Sequence, residues 1–94
     1  MTPPSRAPFA QAVAERRTYS LSFADRLAAD DALVAPATVT PDAGLTAAVI
    51  ATGTDSVTVR LGPTTGPGTF SALVAAHTQN GDLLEHRIVL EVVP

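Results

Sequence analysis

The chain has 94 residues with 46% hydrophobic and 4% aromatic content, no cysteine, and a formal net charge of −3 from 6 basic and 9 acidic side chains. That size admits one domain, and without cysteine a disulfide framework or a thiolate-ligated metal site is excluded. Thinly spread basic residues and few stacking platforms argue against nucleic acid as a partner, and no run approaches the roughly 20 apolar residues of a membrane helix.

The opening stretch, residues 1–17, reads as an extended arm, and residues 18–94 as a β-sandwich domain. Pro3, Pro4 and Pro8 forbid regular helix or central strand before Phe9. No apolar core of a secretory signal is present in this segment. Phe9–Arg17 has the composition of a turn or two of helix, which would set Phe9 and Val13 together as an i, i+4 apolar anchor. Arg16 and Arg17 would meet acidic groups. The expectation is that this arm is ordered against another chain, with Phe9, Val13, Arg16 and Arg17 as the partner-binding residues.

From Thr18 onward, short runs alternate apolar and polar residues between Gly, Pro, Asp and Asn, an all-β pattern. The first strand is predicted over about Thr18–Phe23, with Tyr19, Leu21 and Phe23 on the core side. Residues 24–31 read as a wide connection or one helical turn with Leu27 as a plug. The second strand, about Leu33–Thr40, contains Pro36, which cannot donate to a ladder and therefore belongs at an edge or a bulge. Pro41-Asp42-Ala43-Gly44 supplies turn chemistry; a third strand from Leu45 to about Ala51 and a fourth over Ser56–Leu61 follow. Residues 62–68, rich in Gly and Pro, read as a loop. The closing strands, Thr69–Thr78 and Leu83–Val93, flank Asn80-Gly81, the strongest hairpin signal of the chain. Phe70, Val74, Ile88, Leu90 and Val92 share the inward parity, so this hairpin is expected to be the centre of stability. Packing two antiparallel sheets is the economical way to bury these faces.

The residues offer little chemistry. Asp25, Asp30, Asp31, Asp42 and Asp55 lie in predicted turns without a dense calcium-ligand spacing and read as turn carboxylates. His77 and His86 flank the last hairpin with opposite parities and lack a third ligand. Ser20, Ser22, Ser56 and Ser71 sit on strands, with no nucleophile elbow and no His/Asp arrangement to activate them. The glycines of residues 62–68 lack the lysine and helix of a phosphate loop. No catalytic residue, metal site or cofactor is expected.

Residues 19–23, the connection 27–33 and the turn Pro41-Asp42-Ala43-Gly44-Leu45-Thr46 resemble the small virion proteins of tailed phages that act as fibre–tail adaptors. So do Val57–Gly62, the Gly66-bearing loop, Thr69-Phe70 and Thr78-Gln79-Asn80-Gly81-Asp82, and the resemblance spans about Thr18–Val92. It implies an all-β, immunoglobulin-like antiparallel sandwich of six or seven strands with an N-terminal arm. It further implies a non-enzymatic structural part of a phage virion, assembled in the host cytoplasm and linking other virion proteins at the tail or head–tail region, in several symmetric copies. A capsid-surface decoration with glycan or cell-surface binding is the alternative of the same class; a free extracellular binding module is disfavoured by the missing disulfides and signal.

Overall fold

The computed structural model describes residues 9–94 and places them in two stacked sheets. Seven strands follow in order: β1 (Phe9–Ala12), β2 (Arg17–Ser22), β3 (Leu33–Pro41), β4 (Leu45–Thr52), β5 (Ser56–Thr64), β6 (Gly68–Thr78) and β7 (Leu83–Val93). A single 3₁₀ turn, Ala24–Arg26, lies between β2 and β3, where a wide connection or one helical turn was expected. One sheet has the order β1-β7-β6-β3, the other β2-β5-β4. A β-sandwich was the expected fold, and the alternating pattern from Thr18 onward is what builds it.

The core lies between the sheets and is drawn from the predicted faces. Phe23, Val57, Val59, Leu61, Val74, Ile88 and Leu90 are among its most deeply buried side chains. Ile88 is 1% exposed against 36% for its neighbour Val89, which fixes the register of β7 as the parity of the sequence requires. The closing hairpin pairs continuously from Gly68↔Val92 to His77↔Leu83. Gly81, at φ +92°, turns the chain there, and the Gly81 and Thr78 N–H groups donate to the Thr78 and Asp82 carbonyls at 3.0 and 2.8 Å.

Pro36 sits where its missing donor costs least. β3 is an edge strand, and between the pairs Val34↔His77 and Thr38↔Ala75 it carries two more residues than β6, so Pro36 lies in a bulge. The Ala37 N–H, next in the chain, leaves the sheet and donates to the Thr52 hydroxyl of β4 at 3.0 Å.

Three expectations are corrected. Phe9–Ala12 is not a helical turn but a strand, pairing in parallel with β7 from Phe9↔Leu90 to Ala12↔Val93. An isolated helical turn fixes several residues for one hydrogen bond, whereas the open edge of β7 offers a ladder. Consequently the sandwich is not purely antiparallel, and this part of the expected arm is held by its own chain rather than ordered by another. The third correction concerns residues 62–68: β5 continues to Thr64 and β6 begins at Gly68, leaving a turn of only residues 65–67. Between Leu45↔Thr64 and Ala47↔Leu61, β5 has one residue more than β4. Gly62, at φ +102°, is the residue that absorbs it.

Candidate interaction surface

The strands run between two ends of unlike composition. At one end, the connection after β2, the β4–β5 turn and the β6–β7 turn are stitched together. The Phe23 N–H donates to the Asp55 carbonyl (2.7 Å), Leu33 N–H to Thr54 (2.8 Å) and Gln79 N–H to Ala32 (2.9 Å). Asp25, Asp30, Asp31, Asp55 and Asp82 all belong to these loops. Asp31 is fixed rather than free: its Oδ1 accepts the Ala32 and Asn80 N–H groups at 2.8 and 3.1 Å. Desolvation pushes its pKa upward, but the bonds from Ala32, the Thr78 hydroxyl, Asn80 and Gln79 outweigh it, so the carboxyl lies below its ordinary range. Arg26, the one arginine of these loops, donates to the Glu85 carbonyl at 2.6 Å and stands 5.8 Å over the Phe23 ring.

The opposite end gathers the β1–β2 link, the β3–β4 turn and the β5–β6 turn, joined by Thr64 N–H to the Val13 carbonyl (3.0 Å) and Thr65 N–H to Gly44 (2.9 Å). Its organiser is Gln11, a polar side chain only 3% exposed. The Gln11 amide donates to the Glu15 and Leu61 carbonyls at 2.7 and 3.2 Å, and its oxygen accepts the Tyr19 hydroxyl at 2.9 Å. Glu15 closes the link by accepting the Ala12 N–H on its carboxylate at 2.6 Å. Burial raises the Tyr19 phenol pKa, with Arg17 opposing and Glu15 adding to the shift. Gly62 passes so close under this knot that a Cβ there would run into the Glu15 carbonyl and the Gln11 amide.

The four residues proposed from sequence as partner contacts separate here. Arg16 is exposed on the link and Arg17 at the start of β2. Val13 is half-buried and packs on the chain's own core, because a strand and turn replace the helix that would have turned it outward. Phe9 pairs through its backbone with Leu90, and its side chain lies outside the described residues. Gln11 was missed entirely; only at the period of a strand does it share a side with Val13, which packs on the core.

Asp42 also departs from a purely local turn role: its Oδ2 accepts the Ser71 N–H and hydroxyl at 2.8 and 3.1 Å, tying the β3–β4 turn to β6. His77 and His86 are exposed, with His86 edge-on to Phe23 at 6.2 Å. Among the described residues no group of three His, Cys, Asp or Glu side chains is placed to hold a metal.

A small all-β module with structured loop clusters at both ends and broad strand faces between them belongs to the class of β-sandwich proteins, a class that hosts many functions. The comparison with known families makes the assignment specific: residues 11–91 match the family of the podophage GP4 fiber-tail adaptor protein gp77, and the chain belongs to that family. The match starts at Gln11, so it includes the residue that anchors β1 to the sandwich end. No curated protein matches the chain. As a member of a fibre–tail adaptor family it is a virion component of a tailed phage.

Proposed function

We propose that this protein is a non-enzymatic structural adaptor of a podophage virion that joins fibre to tail, assembled in the host cytoplasm with several copies per particle. The family match over residues 11–91 carries the reading. Its geometry is that of a connector: two loop-built ends face in opposite directions along the strands, one dominated by aspartates, the other displaying Arg16 and Arg17. In this reading the end bearing Arg16 and Arg17 meets an acidic surface of a neighbouring virion protein, and Phe9 and Val13 belong to the same contact region. Exposed charges at such an end steer the encounter with a partner more than they add raw affinity. The immunoglobulin-like description is supported by the strand order. Numbered along the chain, strands two, five and four pair in one sheet and seven, six and three in the other, with strand one joined to seven. No observation favours the capsid-decoration alternative.

The test is assembly in the phage that encodes the chain. Particles made without it should retain a tail and lack fibres, and wild-type protein supplied in trans should restore them. Fully fibred particles in its absence would remove the adaptor reading. Substituting Arg16 and Arg17 together by Glu should reduce fibre occupancy while the purified protein keeps its thermal stability, since both side chains are exposed.

A further inference from the structure

The two outer faces of the sandwich have different chemistry. On the β2-β5-β4 sheet the outward positions are mostly hydroxyls, Thr18, Ser20 and Ser22 on β2 opposite Arg60, Thr58 and Ser56 on β5. Water suits that face. On the β1-β7-β6-β3 sheet, Val34, Leu83, Val89 and Val93 stand 43%, 52%, 36% and 47% exposed, four of the five large exposed hydrophobics among the described residues. Leu73 and Ala75 of β6 also point to this side and are only half-covered.

Charge along β7 is ordered across this face. The outward sequence is Glu85, Arg87, Val89, Glu91. Arg87 donates to the Ser71 hydroxyl at 3.1 Å and reaches a carboxylate, that of Asp42, only through that hydroxyl. Among the described residues the carboxylates of Glu85 and Glu91 have no ion-pair partner. Arg87 and Glu91 each lie two residues from Val89, so they are equally far from it on the same side of the strand, about 7 Å in either direction.

We propose that this face is the interface of a symmetric dimer of the chain. Two copies pack their β1-β7-β6-β3 sheets face to face about a two-fold axis at Val89, with the β7 strands antiparallel, so that Arg87 of each copy meets Glu91 of the other. A two-fold contact requires that if one residue meets a second, the second meets the first, and the order of base, apolar centre and acid satisfies this at Val89. An axis at Arg87 would oppose two guanidiniums, and one at Glu91 two carboxylates. The broad side of the molecule, 43 × 32 Å between Cα atoms, is ample for the about 800 Å² per partner of a standard interface. This inference rests on the face alone and holds whichever virion proteins the dimer contacts.

Sedimentation equilibrium of the purified full chain tests it. Wild type should dimerise reversibly. Arg87→Glu and Glu91→Arg should each weaken the dimer by at least about tenfold, and the charge-swapped double variant should recover most of that loss, an exchange that only a cross-axis pair produces. Circular dichroism establishes that each variant is folded; Val89→Lys, at an exposed central position, gives a second disruption that leaves the core untouched. Ser20→Lys, on the hydroxyl face, should leave dimerisation unchanged. A wild-type chain that remains monomeric at about 200 µM, far above the micromolar affinity of ordinary complexes, overturns the proposal, as does a folded double variant that stays dissociated. A monomer that still attaches fibres to particles would refute the dimer and leave the adaptor role intact.

Discussion

Replacing Gly62 by Ala puts the sealing of the sandwich end to a direct test. At φ +102° the backbone occupies a region that costs an L-residue about 1–2 kcal/mol. The new methyl would also collide with the Glu15 carbonyl and the Gln11 amide. Displacing the amide from its bonds to Glu15 and Leu61 leaves buried polar groups without partners, at about 1–3 kcal/mol. The expected loss is about 2–5 kcal/mol, a large part of the stability of any domain this small, and corresponds to a fall in Tm on the order of 10–30 °C. Urea unfolding followed by circular dichroism measures it. Gly66→Ala is the internal control, because a Cβ there meets nothing within 4 Å and its φ is not positive; it should be neutral or stabilise by up to about 1 kcal/mol. The effect of Gly62→Ala should also shrink in a Gln11→Ala background, since part of it acts through that amide. If Gly62→Ala unfolds at the same urea concentration as Gly66→Ala, the close packing of β1 and its link on β5 is wrong.

Ile88→Ala should cost about 2–5 kcal/mol by opening a cavity between the sheets, whereas Val89→Ala on the outer face should cost far less; equal losses in thermal unfolding would mean a shifted β7 register. Removing residues 1–12 deletes β1 and the Gln11 knot, so the remaining domain should melt well below the full chain by calorimetry, and an unchanged Tm would show that β1 contributes nothing to the fold. Asp31 links stability to pH: its folded pKa is depressed, so its contribution is complete above the unfolded value of about 3.9 and disappears as pH falls through the folded value. Asp31→Asn should therefore flatten the acid limb of the stability profile, and a profile that parallels wild type below pH ~4 would refute the role of that carboxylate.

The strands from Thr18 onward were legible because each buries one face, and Tyr19, Leu21, Val57, Val59, Ile88 and Leu90 keep a period of two without interruption. Pro36 was legible for a related reason, since the loss of one donor confines it to few places in a sheet. The ends were harder. β1 is four residues long, and two of them are alanines, which fit helix at least as well as strand; only the edge of β7, whose paired residues lie 81 positions further along the chain, decides in favour of strand. Likewise Gly62 and Pro63 carry loop chemistry locally, and the partner that holds them in the sheet is Leu45 opposite Thr64. Gln11 shows the same limit at the candidate surface: a lone glutamine is ordinarily a surface residue, and its burial follows from the convergence of Tyr19, Glu15 and Leu61, which no local pattern contains.

The edges bear on how such a module can join other chains. A sheet edge invites strand addition unless something blunts it. β3 carries the Pro36 bulge, and β4 carries an extra residue between Val49↔Val59 and Ala51↔Thr58 that places Ile50 outside the ladder. β1 pairs over only four residues, and β2 begins at the exposed Arg17. Three of the four edges are thus bulged or short, and the fourth is charged at its start. Contacts through side chains, on a broad face or on the loop clusters at the ends, are then the more accessible means of association. They also suit an adaptor better than strand addition, because pairing through backbone groups is nearly blind to sequence, whereas the proposed contacts, an apolar centre flanked by Arg87 and Glu91 or an end bearing Arg16 and Arg17, would select a partner by position and sign of charge.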